Sequence, residues 1–418
     1  MCMCAIFKLA VRSVMVIIMA MTGAGVLRGQ IVETGIEQLV KSDFEILKGK
    51  RVGLVTNPTG VDRNLRSTID ILFNAPGVKL VALYGPEHGV RGEFTAGALV
   101  QGETDPATGL PVYSLYGKTR KPTPEMLTGI DVLVYDIQDI GSRSYTFIST
   151  LGLVMLTAAE NNIPVVVLDR PNPLGGIRME GAVTRPDFIS FVSQFEIPYV
   201  HGLTVGELAM FLNGEQMLQG ILKCQLEVVK MKGWTRDMYF SETGLPWVPS
   251  SPQVPSGETP LFYAATGIAG ELHTINEGVG YTLPFQLFAT DWINADLLAG
   301  SLNNLKLPGI IFRPIHYTPR YGTYKDKLVH GVQVHLIDPE KAPLTLIQFY
   351  IMQEIHRLWP EKDLFNDLSR LQMFDKVCGT DSVRLLFKKS YLVNDISDIW
   401  FRDIPAFRTK ASGYFLYD

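Results

Sequence analysis

The sequence is short of most of the signatures that announce a known chemistry. It has no long basic run, and its formal net charge of −4 argues against a nucleic-acid partner. No G-x-G-x-x-G is present, so a dinucleotide fingerprint fails. Gly117-Lys118-Thr119 lacks the glycine five residues before Gly117 that a phosphate-cradling P-loop needs. There is no G-x-S-x-G nucleophile elbow. The seven histidines (88, 201, 273, 316, 330, 335 and 356) show no H-E-x-x-H spacing, and His330 and His335 read as structural residues beside a strand. Cysteine is scarce: Cys2, Cys4, Cys224 and Cys378, with no C-x-x-C pair. Neither a zinc nor a redox motif follows from that set, and no metal or other cofactor is expected. Cys224 and Cys378 read as two buried thiols.

What remains is an ordinary globular composition, 46% hydrophobic and 19% charged over 418 residues, enough for two domains. The first thirty residues differ from the rest. Lys8 and Arg12 precede the apolar run Val14 to Met21, and Gly23, Ala24 and Gly25 follow. This is the pattern of an export signal over residues 1–29, too short in its apolar part for a membrane span of ~20 residues. No cysteine stands just after that run, so a lipid anchor is not indicated. The expectation is a processed, exported protein, periplasmic or extracellular, with no stable membrane span.

Beyond the signal, apolar runs of strand length alternate with helical patterns. Arg51–Thr56, Val78–Tyr84, Asp131–Ile137 and Pro164–Leu168 read as buried strands, and Val228–Met231 as a further one. Leu65–Phe73 and Tyr145–Glu160 read as helices, and Thr204 with Glu207 forms a capping box. Alternation of this kind predicts an α/β fold with a Rossmann-like parallel sheet covered on both faces, over residues 30–288. Thr243 to Pro260 is too rich in proline for a helix or a central strand and reads as a long ordered loop or a linker. Gly331–Ile337 and the helical run Leu344–Leu358 predict a smaller α+β domain over residues 289–418.

In open parallel sheets, ligands bind outside the carboxyl ends of the strands. Glu87, His88 and Arg91 follow the second strand; Asp136, Gln138, Asp139 and Arg143 close the third; Asp169, Arg170 and Asn172 follow the fourth. Glu87 sits in a Gly-Pro-Glu-His-Gly turn, a place from which a carboxylic acid can protonate a leaving oxygen; a loop glutamate paired with Arg91 is the alternative. Asp139 is the candidate second carboxylate, since glycosidases use two; capping the helix near Tyr145 is its alternative. Asp136 and Gln138, two apart on a strand end, point the same way and can hold sugar hydroxyls. Arg91, Arg143 and Arg170 are the natural anion binders, with Asp136, Asp139 and Asp169 as their alternative partners.

Five fragments occur in order: GPEHGVRGE, DIQDIGSRSYTF, DRPNPLGG, HGLTVGELA and TGLPWVPSSPQVP. Together they resemble the NamZ family of exo-β-N-acetylmuramidases, over a stretch running from about Gly35 to Tyr417. The resemblance implies a Rossmann-like domain with a smaller C-terminal domain and a site in the cleft between them. It implies metal-free release of N-acetylmuramic acid from the non-reducing ends of peptidoglycan fragments, muropeptides or disaccharides, with Glu87 as the favoured catalytic residue. In one stretch, Gly270 to Phe285, this chain keeps a carboxylate at Glu271 but has Val279 where many members carry arginine. The lactyl carboxylate of such a substrate calls for a cation, for which Arg91 and Arg143 are the candidates; Tyr145 and Trp247 offer aromatic faces to the sugar, and Asn172 and Glu271 complete the expected binding set. A lyase or transglycosylase on the same substrates, or a non-catalytic muropeptide binder, stays open at this point.

Overall fold

The computed structural model describes residues 31–92, 103–117, 119–218 and 223–418. The expected export signal, with Cys2 and Cys4, lies outside them. The chain enters through helix α1 (Gly35–Lys41), whose Thr34 and Glu37 form a capping box. Strand β1 (Arg51–Thr56), helix α2 (Thr68–Phe73), strand β2 (Lys79–Gly85), the short β3 (Glu103–Thr104), β4 (Pro111–Ser114) and β5 (Val132–Asp136) follow. Then come helix α3 (Phe147–Glu160), β6 (Val165–Leu168), helix α4 (Val205–Gly214) and β7 (Leu226–Val229).

Among the described residues these strands make one sheet in the order β3-β4-β2-β1-β5-β6-β7, parallel except for β3. With β3 set aside, the strands stand in the doubly wound Rossmann order, β1 at the centre and the chain winding outward on each side. Apolar residues of the central strands alternate between two cores. Val52, Leu54, Val132 and Val134 face α1 and α2, while Val55, Leu133 and Tyr135 face α3 and α4. This is the predicted fold class, and the near-continuous burial of β1, β5 and β6 is what made it legible. Leu65 is an exception. Expected on the buried face of a helix, it lies ahead of α2 in the left-handed region (φ 62°) and is exposed, because Ser67 caps the helix two residues later.

Helix α5 (Thr259–Gly270) leads into the second unit. There β8 (Leu287–Thr290), β9 (Ile310–Tyr317) and β10 (Val329–Leu336) form an antiparallel sheet in the order β8-β10-β9. Helices α6 (Ala295–Asn304), α7 (Ile347–Leu358), α8 (Leu368–Cys378), α9 (Ser382–Ser390), α10 (Val393–Phe401) and α11 (Ile404–Ala411) complete it. Helix α5 shares one core with this sheet and with α7 to α10, whereas Ile404, Phe407 and Ala411 of α11 return to the α3–α4 core of the first unit. Cys224 and Cys378 are both buried and unpaired. No helix of the described residues is long and apolar enough to cross a membrane.

Arg143 is one of the ties between the two units, beside Arg178 and Glu180, and here the sequence reading needs correction. Expected to face a ligand, this side chain is fully buried. It donates from Nε to Ser193 Oγ (3.0 Å), from Nη1 to the carbonyls of Ala182 (2.8 Å) and Ile197 (2.6 Å), and from Nη2 to the carbonyl of Val377 in α8 (2.8 Å). No carboxylate among the described residues compensates it, and burial lowers its pKa to about 10. Replacing Arg143 by Met strands those acceptors, each worth ~1–3 kcal/mol when left unpaired. We therefore predict that Arg143→Met destabilises the protein by roughly 3 kcal/mol or more, read from urea denaturation; a loss below about 1 kcal/mol contradicts the staple.

Candidate functional site

The crevice at the topological switch point, between the carboxyl ends of β1 and β5, is the place an open parallel sheet usually binds its ligand. Here it is filled from within. Asp136 is fully buried and receives Arg170 twice, Nε to Oδ1 at 2.5 Å and Nη2 to Oδ2 at 2.9 Å, together with the hydroxyl of Thr68. Gln138 spends its amide on the carbonyls of Asp139 and Pro171 and its backbone N–H on Thr59. The proline-rich loop then lays Leu245 to Val248 over the opening, leaving a void of about 20 Å³. Trp247 is held there against Phe240 and donates from Nε1 to the carbonyl of Val254. Asp136, Gln138 and Arg170 are therefore structural, and Trp247 is a plug in place of the expected sugar platform.

The open cavity lies to one side, with a volume of about 230 Å³. Its wall includes Glu87, His88, Ser144, Tyr145, Ser251, Gln253, Tyr263 and Phe285. The turn that delivers Glu87 is tight. Gly85 closes so near Gly89 and Val90 that a Cβ on it would stand 3.1 Å from their backbone atoms. His88 then takes the left-handed conformation (φ 77°), a strained choice for a non-glycine residue that the surrounding structure must hold in place. Three of the predicted residues, Glu87, His88 and Tyr145, thus meet in one cavity. Asp139 stands behind Tyr145. Its Oδ2 accepts the N–H of Gly141 at 2.7 Å, and its Oδ1 is buried without a partner among the described residues. Burial raises the Tyr145 phenol pKa well above its usual range, and both Asp139 and Glu87 add to the shift, so one phenol feels both carboxylates.

The remaining predicted residues lie elsewhere. Arg91 turns to Asp105 (Nε–Oδ1 2.5 Å) and Asp70 (Nη2–Oδ1 2.9 Å), outside the cavity wall. Asn172 is buried; its Nδ2 donates to the carbonyl of Leu203 and its Oδ1 accepts the N–H of Leu174, which fixes the loop after β6. Both are corrections to the expected binding set, with a common cause: polar groups at strand ends found fixed partners at short range. Glu271 ends α5 and pairs with Arg370 at 2.9 Å. Its charge reaches Tyr263, so it borders the site without lining the cavity.

The sequence reading missed three groups. Tyr263 lines the cavity from α5 and shares a 3.0 Å hydrogen bond with Ser144. Tyr116 is raised in pKa by burial and, after it, by the Glu87 carboxylate nearby. Glu277 lies against Gly270, where a Cβ would stand 2.9 Å from its carboxyl carbon. Burial, reinforced by Glu271, pushes Glu277 up to about 7, and its own backbone N–H is the one donor that opposes this. Only the long proline-rich loop, which supplies Ser251 and Gln253, carried a signal of its own in the sequence.

Two family models cover this chain: exo-β-N-acetylmuramidase NamZ, N-terminal, over residues 52–258, and NamZ, C-terminal, over residues 261–417. The chain belongs to the NamZ family. It is 44% identical over 386 residues to the peptidoglycan β-N-acetylmuramidase NamZ of Bacillus subtilis, covering 92% of this chain and 91% of that protein. Two crystal structures of DUF1343 family proteins from Bacteroides fragilis share the fold. One matches with a TM-score of 0.89 at 56% identity, the other with 0.74 at 29%, and each match covers 93% of this chain and 99% of the other. The NamZ match therefore spans both units and every wall of the Glu87 cavity.

Glu277 yields a pH prediction. Its folded pKa of about 7 lies above the ordinary 4.5, so the native state holds its proton more tightly than the unfolded chain. The stability this adds is complete below pH ~4.5 and is lost as pH rises through ~7. Urea denaturation at several pH values between 4.5 and 8 should show the wild type losing up to about 3 kcal/mol that Glu277→Gln does not lose; parallel pH profiles refute the assignment.

Proposed function

We infer that this protein is an exo-acting glycosidase that hydrolytically releases N-acetylmuramic acid from the non-reducing ends of peptidoglycan fragments. The observation that carries the reading is Glu87: the family's glutamate, presented by a strained turn to a cavity in a chain matched by the NamZ models along almost its whole length. At about 230 Å³ the cavity falls below the roughly 300 Å³ where drug-sized pockets begin. That size suits one terminal sugar, which supports exo action. In this reading Glu87 protonates the departing glycosidic oxygen, and Tyr145 and Tyr263, kept protonated by burial, donate to the sugar. Asp139 supports the site through Tyr145. The wall polymer as substrate, and the signal pattern around Lys8 and Arg12, together support work outside the cytoplasmic membrane.

Glu87→Gln should lower turnover of a chromogenic N-acetyl-β-muramide by about a hundred- to ten-thousand-fold with an unchanged circular dichroism spectrum; near-normal turnover removes Glu87 from the chemistry. The same assay in ¹⁸O-labelled water should place solvent oxygen in the released sugar. An unlabelled product points instead to a lyase or a transglycosylase.

A further inference from the structure

In a peptidoglycan strand N-acetylmuramic acid and N-acetylglucosamine alternate, and only the muramic acids carry carboxylates. Beyond a bond cleaved at the non-reducing end, the first sugar is therefore neutral and the second brings the next negative charge. A cation that recognises the rest of the strand belongs outside the Glu87 cavity, past one neutral sugar. A cleft of about 530 Å³ in the second unit offers such cations, and two ties join it to the cavity. Gln253 of the cavity wall donates from Nε2 to the hydroxyl of Tyr321 at 2.8 Å. Tyr321 opens the loop whose Thr323, Tyr324, Lys325 and Lys327 line the cleft, and the four residues from Tyr321 to Lys325 span at most ~14 Å. Helix α5 is the second tie. Tyr263 lies in the cavity wall, the helix ends at Gly270 about 10 Å further on, and His273, three residues later, lines the cleft.

The charges of the cleft favour an anion. Lys325 and Lys327 make no ion pair among the described residues. The Lys362 ammonium lies over the ring of Trp292, 5.4 Å from the centroid, and both residues are part of the wall. Two of the three wall acids are already occupied. Asp363 accepts from Lys388, from the hydroxyl of Tyr391 and from the N–H of Phe365, and Asp367 caps α8 through Ser369. Glu361 is the third. The wall is also held in shape. His273 and Tyr324 take the left-handed conformation (φ 56° and 61°), which their surroundings must impose. The Tyr324 hydroxyl donates to the carbonyl of Thr274 at 3.1 Å, and Asn276 Nδ2 donates to the carbonyl of Thr323 at 2.9 Å. The lysine-bearing loop is thus fixed before a ligand arrives.

Building on the muramidase reading, we propose that this cleft is a leaving-side subsite in which Lys325, Lys327 and Lys362 bind the carboxylates of the second muramic acid unit of the strand. The neutral sugar between the two muramic acids lies along Tyr321, which is exposed beside Gln253. Such a subsite makes a tetrasaccharide a better substrate than a disaccharide. Each exposed pair is worth up to about fivefold, so three converging lysines give roughly tenfold or more.

The test measures kcat/KM for the disaccharide N-acetylmuramyl-N-acetylglucosamine and for three tetrasaccharides built from two such units. The inner muramic acid of these carries a free lactyl carboxylate, a lactyl carboxamide, or a stem peptide with its own carboxylates. Wild type should favour a charged tetrasaccharide over the carboxamide by roughly tenfold, and less so as salt is added. Preference for the free acid assigns the lysines to the lactyl group; preference for the peptide-bearing form alone assigns them to the peptide. The triple variant Lys325→Ala, Lys327→Ala, Lys362→Ala should raise KM for the charged form and bring its ratio to the carboxamide close to one. Equal use of all three tetrasaccharides by the wild type overturns the proposal, even when the variant does not fold. A folded variant that keeps the wild-type ratio, or that loses disaccharide and tetrasaccharides alike, overturns it as well. Should the wild type cleave none of the four, the muramidase reading fails. Calorimetric binding of the tetrasaccharides to wild type and the triple variant then decides the role of the cleft by itself: a lysine-dependent preference for a charged form supports it, and equal binding overturns it.

Discussion

A guanidinium carries a permanent charge that costs several kcal/mol to bury, and proteins seldom bury one without a carboxylate beside it. Arg143 is buried against three carbonyl oxygens, those of Ala182, Ile197 and Val377 in α8, and the hydroxyl of Ser193. The arrangement holds because carbonyl dipoles from two folding units converge on one planar fork, which no neutral side chain could replace with the same number of donors. The next residues in the chain are Ser144 and Tyr145, which line the cavity. The position of that wall is therefore set by how the second unit sits on the first. Tyr263 reaches it from α5, a helix of the second core, and bonds to Ser144. Site geometry and interdomain packing are the same constraint.

The C-terminal tail strengthens it from the far side of the sheet. Asp169, at the end of β6, accepts the backbone N–H of Gly206, the hydroxyl of Thr204 and the hydroxyl of Tyr417. One carboxylate thus closes the N-terminus of α4 and anchors the last turn of the chain. Arg236 joins in, pairing with Glu207 and lying 3.5 Å from the Phe415 ring centroid. With the switch-point crevice held by Asp136 and Arg170 and covered by Trp247, the usual ligand position of a doubly wound sheet has become part of the scaffold. The cavity moved outward to the turn after β2, where the strand-end rule still applies but to one strand instead of three.

Much of the fold was legible because burial on both faces turns a strand into an unbroken apolar run, as in Val165–Leu168 and Val132–Asp136. The capping box at Thr204 was equally legible, since its two residues are three apart. Strand β9 was not: its burial alternates, and Arg313, Pro314 and His316 dilute the signal. Within the site, Glu87 could be read from the glycines around it. The fate of the arginines could not, because the partner decides it and the partner is remote in sequence: Val377 lies 234 residues from Arg143, and Asp136 lies 34 from Arg170. A strand-end loop shows which charges are available without showing which of them will be neutralised before a ligand arrives. Tyr263 was missed because it stands on a helix outside the strand ends and is brought in by packing, and Tyr116 because it follows β4, a strand too short to be read from the sequence.

This division of charges has a consequence for how the site handles a sugar. Carboxylates gather around the cavity at Glu87 and Asp139, with Glu271, paired to Arg370, at its border. The tyrosines there are pushed towards keeping their protons. Burial raises the pKa values of Tyr145, Tyr199 and Tyr263 well above the phenol range, and neighbouring carboxylates add to each. A phenol held neutral is a dependable donor to a sugar hydroxyl or an acetamido oxygen, and it does not repel an anionic substituent as another carboxylate would. Tyr199 keeps a buried hydroxyl with no partner among the described residues, and Asp139 keeps an oxygen in the same condition. Unpaired polar atoms of that kind cost about 1–3 kcal/mol each. Both atoms lie behind the cavity wall and outside its lining, so that cost is carried by the packing that backs the site.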